Sequence, residues 1–113
     1  MRFSEKIQKE IDLIVGSIKK TVDCERIYLF GSYAYGEPPT EDSDLDFYVV
    51  IPDGSMREIE AMQKIRLALP DDGRTMPLDI IAKKSSYFHG LRSMPTMERQ
   101  IADEGILLYD CGI

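Results

Sequence analysis

The 113-residue sequence predicts an α/β (α+β) domain, a small mixed β-sheet flanked by helices, and three observations carry that reading. Phe3, Ile7, Ile11, Ile14, Ile18 and Val22 recur at helical spacing with Lys and Glu between them, the stripe of an amphipathic helix. Short runs rich in β-branched, aromatic and other apolar residues follow, each bounded by glycine, proline or a polar turn. Between these runs lie further segments with helical start and stop signals.

The elements follow in order. Ser4 is a start signal for the first helix. Arg26-Ile27-Tyr28-Leu29-Phe30 is a strand that stops at Gly31. Residues 37–43 form a loop, because Pro38 and Pro39 remove backbone donors and deny helical geometry. A second strand runs from about Asp44 to Ile51 and ends at the turn Pro52-Asp53-Gly54. Ser55 is expected to cap a second helix, with Glu58 completing a capping box. Ile59, Met62, Ile65, Arg66 and Leu69 mark the buried side of that helix, and Pro70-Asp71-Asp72-Gly73 ends it. Residues 76–82 form a third strand, and Ser85 or Ser86 opens a short helical piece. Met94, Met97 and Ile101 align one more helix, closed by Gly105 in the left-handed conformation. Ile106-Leu107-Leu108-Tyr109 is a last short strand.

Composition narrows the classes of function. With 43% hydrophobic and 30% charged residues, the chain reads as one globular domain over residues 1–113. A net charge of −6 argues against unspecific binding to nucleic acid or to an anionic membrane, yet permits a nucleotide held through metal ions. The start of the chain turns charged at once, and no apolar run is long enough to span a bilayer, so a cytoplasmic location is expected. Cys24 and Cys111 read as free thiols. His89, the single histidine, reads as a helix-end residue rather than a general base.

The chemistry concentrates in three carboxylates and one turn. Side chains alternate along a strand, so Asp44 and Asp46 share one face while Leu45, Phe47, Val49 and Ile51 occupy the other. Two like charges that close repel unless a cation sits between them. A pair of divalent ions resolves the conflict, and carboxylate oxygens favour Mg²⁺ or Mn²⁺. Asp79 lies in an apolar run, where an isolated carboxylate is costly; beside the second strand it could close a three-carboxylate cluster, as a ligand or as a base. Gly31-Ser32 follows the first strand, lets backbone approach a ligand closely, and adds a hydroxyl donor for phosphate. Taken singly, each feature is weak: Gly-Ser marks many turns, and Asp-x-Asp occurs in many loops.

The order of these features resembles the polymerase-beta-like nucleotidyltransferase superfamily, and within it the minimal nucleotidyltransferase domains. Gly31, Ser32, Ala34 and Gly36, then Ser43-Asp44-Leu45-Asp46-Phe47, then Asp79 carry the resemblance. It implies transfer of a nucleoside monophosphate from an NTP, ATP by preference, with pyrophosphate leaving. Gly31 and Ser32 would hold the triphosphate, Asp44 and Asp46 would bind two Mg²⁺ ions, and Asp79 would be the third carboxylate. Tyr35 stands where these domains often carry Arg, and Lys83 and Lys84, just past Asp79, read as solvated surface rather than as compensation for the missing cation. The resemblance also implies a partner, a small helical HEPN-type toxin on which the chain acts as antitoxin by adenylylating a hydroxyl; a homo-oligomer is a further expectation.

Two functions of different class follow. One is a Mg²⁺-dependent nucleotidyltransferase modifying a partner protein. The other is an antitoxin-like binding module that neutralises its partner by contact alone.

Overall fold

The structure, a computed structural model, describes residues 4–35, 44–70 and 77–112. The expected loop at 37–43 lies outside them, as do Phe3, Gly36, Ser43, Asp71-Asp72-Gly73 and Met76.

Helix α1 spans Glu5–Thr21, and the Ser4 side chain caps it by accepting the Ile7 N–H. Ile11, Ile14 and Ile18 are fully buried, as the stripe demands, and Val22 closes the helix. Strand β1 follows at Arg26–Phe30 and β2 at Leu45–Ile51. Helix α2 covers Glu58–Ala68 and β3 runs over Leu78–Lys84. Helices α3 (Ser85–Leu91) and α4 (Met97–Glu104) precede β4 at Ile106–Asp110.

The four strands order as β3-β2-β1-β4. β1 pairs antiparallel with both β2 and β4, whereas β2 and β3 are parallel, joined through α2. The sheet is therefore mixed. One face carries Ile27, Leu29, Phe47, Val49, Ile80 and Ala82 and packs on α1 and α2 through Ile11, Ile14, Ile18, Ala61 and Ile65. The opposite face carries Tyr28, Tyr48 and Val50, covered by Phe88 of α3 and Ile101 of α4. Burial of both faces explains why β2 is apolar at nearly every position.

Three local expectations are corrected. Ser55 does not cap α2; its hydroxyl donates to the Pro52 carbonyl and closes the turn there. The helix begins two residues later than a Ser55 cap requires, with Arg57 at the cap position making no side-chain bond. Glu58 is used elsewhere: its carboxylate accepts the Lys84 N–H at 2.9 Å and pairs with Lys83 at 3.8 Å. On α2 the buried residues are Ala61 and Ile65, while Ile59 is 52% exposed and Arg66 faces outward. Gly105 is extended at φ −66° and ψ 164°, not left-handed. Glycine is needed there for space, since a Cβ would meet the Ile101 carbonyl oxygen at 2.5 Å.

Candidate active site

Strand pairing decides where the carboxylates meet. Asp46 is the register partner of Phe30 on β1 and of Asp79 on β3, so the three side chains form one row across the second face. Strand spacing separates the two aspartate backbones by about 4.8 Å. Asp44 immediately precedes β2, is exposed, and lies on the same side as Asp46 by alternation. The next row holds Tyr28, Tyr48 and Ile81, where the aromatic cluster begins. One face thus changes within a single residue pair from charged and open to apolar and covered.

Gly31 closes this end of the site. Its φ of +80° is a conformation that glycine enters without strain. A Cβ on Gly31 would overlap the Asp46 carboxylate, so the residue is needed both for its backbone angle and for the room it leaves. The chain then makes a helical turn in which the Ala34 and Tyr35 N–H groups both donate to the Gly31 carbonyl at 3.0 Å. The first amide of such a turn, here that of Ser32, has no acceptor within it, which suits an anion. Ser32, half-buried, sits at that leading position.

Electrostatics mark Asp46. Burial, then the charges of Asp44 and Asp79, push its carboxyl up to about 6 from an ordinary 3.8. Among the described residues no Lys or Arg pairs with Asp44 or Asp46. Tyr35 is drawn into the same field: burial raises its hydroxyl, the Gly31 backbone N–H opposes that shift, and Glu104 and Asp46 add to it.

Asp79 differs. Its Oδ1 accepts from Arg66 Nη2 at 3.1 Å and from the Ile80 N–H at 3.1 Å. Arg66 comes from the last turn of α2, the helix that returns the chain to β3. The spacing of α2 placed Arg66 on the buried side and did not single it out for the site. An Arg within an otherwise apolar stripe, ahead of a strand bearing Asp, was the available signal. Lys83 and Lys84 do not compensate for the absent Arg at position 35. They lie at the far end of β3, roughly 13 and 16 Å along the strand from Asp79, where Lys83 pairs with Glu58 and stacks over Tyr87.

The donor set fits a hard divalent cation in chemical type, since it offers carboxylate oxygens and a half-buried carboxyl that resists ionising without a counter-charge. Among the described residues no three His, Cys, Asp or Glu side chains gather around one point. Asp44, Asp46 and Asp79 share one end of one face without closing on a common centre. A cavity of about 610 Å³, lined by Arg57, Glu58, Ile59, Lys84, Ser86 and Tyr87, opens at the other end of β3. It contains none of the three aspartates.

Comparison with known proteins agrees with the fold. A family model described as "Polymerase beta, Nucleotidyltransferase" matches residues 13–111. No curated protein matches the chain. Among solved structures, a Sulfolobus solfataricus protein provisionally assigned as a nucleotidyltransferase aligns with TM-score 0.58 at 18% identity, covering 96% of this chain and 90% of that one. A toxin–antitoxin structure with AMP-PNP aligns with TM-score 0.54 at 26% identity, covering 89% of this chain and 73% of that one. A mutant of the toxin–antitoxin MntA-HpeT, bearing two Asp-to-Glu changes two positions apart, aligns with TM-score 0.55 at 24% identity and the same coverage.

Proposed function

The chain belongs to the polymerase beta nucleotidyltransferase family, and on that footing we propose that it transfers AMP from ATP to a hydroxyl on a partner protein. The partner in this reading is a small helical toxin of HEPN type. The observation that carries the reading is the in-register pairing of Asp46 with Asp79, beside a positive-φ Gly31 whose missing Cβ makes room for the Asp46 carboxylate.

The roles follow from position. The Gly31–Ser32 turn binds the triphosphate through backbone amides and the Ser32 hydroxyl. Asp44 and Asp46, with Asp79 as third carboxylate, would hold Mg²⁺, two ions in the full site, with Mn²⁺ an alternative. When bound, the ions neutralise the phosphates and the charge that develops on them. Asp79 receives the proton of the acceptor hydroxyl, or orients that hydroxyl if it serves as a ligand. The acceptor oxygen forms a bond to the α-phosphorus, the bond to the bridging oxygen breaks, and pyrophosphate departs. Positioning and charge compensation carry such a displacement, which suits a site built from one turn and one row of carboxylates.

Two neighbours support the nucleotide and the partner. One is a toxin–antitoxin with AMP-PNP, an ATP analogue; the other was altered at two aspartates with the spacing of Asp44 and Asp46. A contact-only antitoxin is the second reading. It is favoured by the lack of a closed three-ligand cluster among the described residues and by the exposure of Met94 and Met97 at 51% and 43%.

Calorimetric titration with each NTP, with and without Mg²⁺, separates them. Wild type is expected to bind ATP only with Mg²⁺, and Asp44→Asn/Asp46→Asn to lose that binding while remaining folded. Asp46→Asn alone should lower AMP transfer at least about 100-fold. Full transfer by Asp46→Asn would remove Asp46 from the catalytic row, whereas no nucleotide binding by folded wild type would remove the enzymatic reading and leave contact-only neutralisation.

A further inference from the structure

We propose that Arg66 is a built-in counter-ion of the carboxylate row, competing with the divalent cation for Asp79. The inference rests on the reading of Asp44, Asp46 and Asp79 as cation ligands.

Arg66 reaches the row because α2 is the crossover between the two parallel strands, and its last turn ends near the start of β3. The guanidinium makes one bond, Nη2 to Asp79 Oδ1 at 3.1 Å. The Ile80 N–H donates to the same oxygen at 3.1 Å, so Oδ1 is engaged twice and neither bond uses Oδ2. A carboxylate held in this way has one orientation and one oxygen to offer. Among the described residues Arg66 is the only Lys or Arg side chain paired with any of the three aspartates. The pair is half-exposed, at 52% and 55%, so it is exchangeable rather than a buried structural lock.

Two effects of Arg66 on a cation oppose each other. A guanidinium paired with one of the ligand carboxylates would repel a divalent ion held by the others and, screened by water, weaken its binding by about tenfold. Holding the Asp79 rotamer strengthens binding by about two- to threefold. Repulsion wins, by a net factor of several. The free protein is thereby disfavoured from loading a metal alone, and the negative charge of a bound triphosphate tips the balance.

Mn²⁺ titration of the nucleotide-free protein, followed by the electron paramagnetic resonance signal of free Mn²⁺, tests this directly. Arg66→Gln should bind Mn²⁺ at least threefold more tightly than wild type, and the gain should shrink as ionic strength rises. Arg66→Lys, which keeps the charge, should stay close to wild type. Equal or weaker binding by Arg66→Gln, with binding lost in Asp44→Asn/Asp46→Asn, overturns the counter-ion and leaves the proposed function standing. Binding that survives Asp44→Asn/Asp46→Asn overturns both, whereas no binding by any of these nucleotide-free proteins, Arg66→Gln included, overturns the counter-ion alone. Circular dichroism confirms folding, since an exposed ion pair contributes little to stability.

Discussion

The two ends of one sheet face treat a carboxylate in opposite ways. At the covered end, Glu98 is only 4% exposed, yet it accepts a 2.9 Å hydrogen bond from the Tyr48 hydroxyl and lies in the first turn of α4, where the helix dipole favours an anion. At the open end, Asp46 is more accessible but faces Asp44 and Asp79, and its carboxyl is pushed up to about 6. Depth alone does not make a carboxylate costly. What matters is whether the fold supplies a partner, and at Asp46 it supplies two more negative charges. The covered end is built for stability and the open end is suited to a ligand.

The largest effect should come from opening the covered end. Phe88 is fully buried, with its ring 5.5 Å from those of Tyr28 and Tyr48, so Phe88→Ala should lower stability by about 3–5 kcal/mol in urea unfolding. A loss below 1 kcal/mol would mean that α3 is not a real lid on this face.

Gly31→Ala comes next and strikes the open end. It combines a strained positive φ with overlap on the Asp46 carboxylate, and should cost about 2 kcal/mol while abolishing nucleotide binding. Unchanged binding of ATP with Mg²⁺ would separate Gly31 from the site.

A smaller change tests the buried pair. Tyr48→Phe removes the donor to Glu98 without changing the shape of the ring, and should cost about 1–3 kcal/mol by leaving a buried carboxylate short of a partner. Tyr48 titrates far above its usual range, through burial and then the Glu98 bond, so this loss should be constant across neutral pH.

The smallest effect has the opposite sign. A carboxyl whose folded pKa lies above its unfolded value holds its proton more tightly when folded. The metal-free protein should therefore lose stability as pH rises from about 4 through about 6, with no further loss from this group above that range. Asp46→Asn should remove this dependence and raise neutral-pH stability by under about 1 kcal/mol, after allowance for solvent screening. Thermal melts at pH 4.5 and 7.5 give the comparison, and a destabilised Asp46→Asn protein would contradict it.

Much of the fold was legible in the residues themselves. Ser4 and the isoleucine stripe define α1, and the run from Arg26 to Phe30 with its stop at Gly31 defines β1, because caps and periodicity are local. Asp44 and Asp46 share a side for the same reason, since alternation is a property of one strand. The capping of α2 was misread because Glu58 is claimed by Lys83 and Lys84, residues more than twenty positions away. Gly105 was misread because its glycine requirement arises from crowding by the Ile101 carbonyl, not from its own backbone angle.

The sequence alone therefore determined the order of helices and strands and the alternation of residue types along each strand, since those depend on neighbours in the chain. Tertiary structure decided the rest. Only the parallel register of β2 and β3 sets Asp79 beside Asp46, only the close pass of Gly31 makes room for that carboxylate, and only the return of α2 brings Arg66 onto Asp79. The physical reason is range: secondary structure is written in contacts a few residues long, whereas charge repulsion and its relief act between segments that meet only once the sheet has formed.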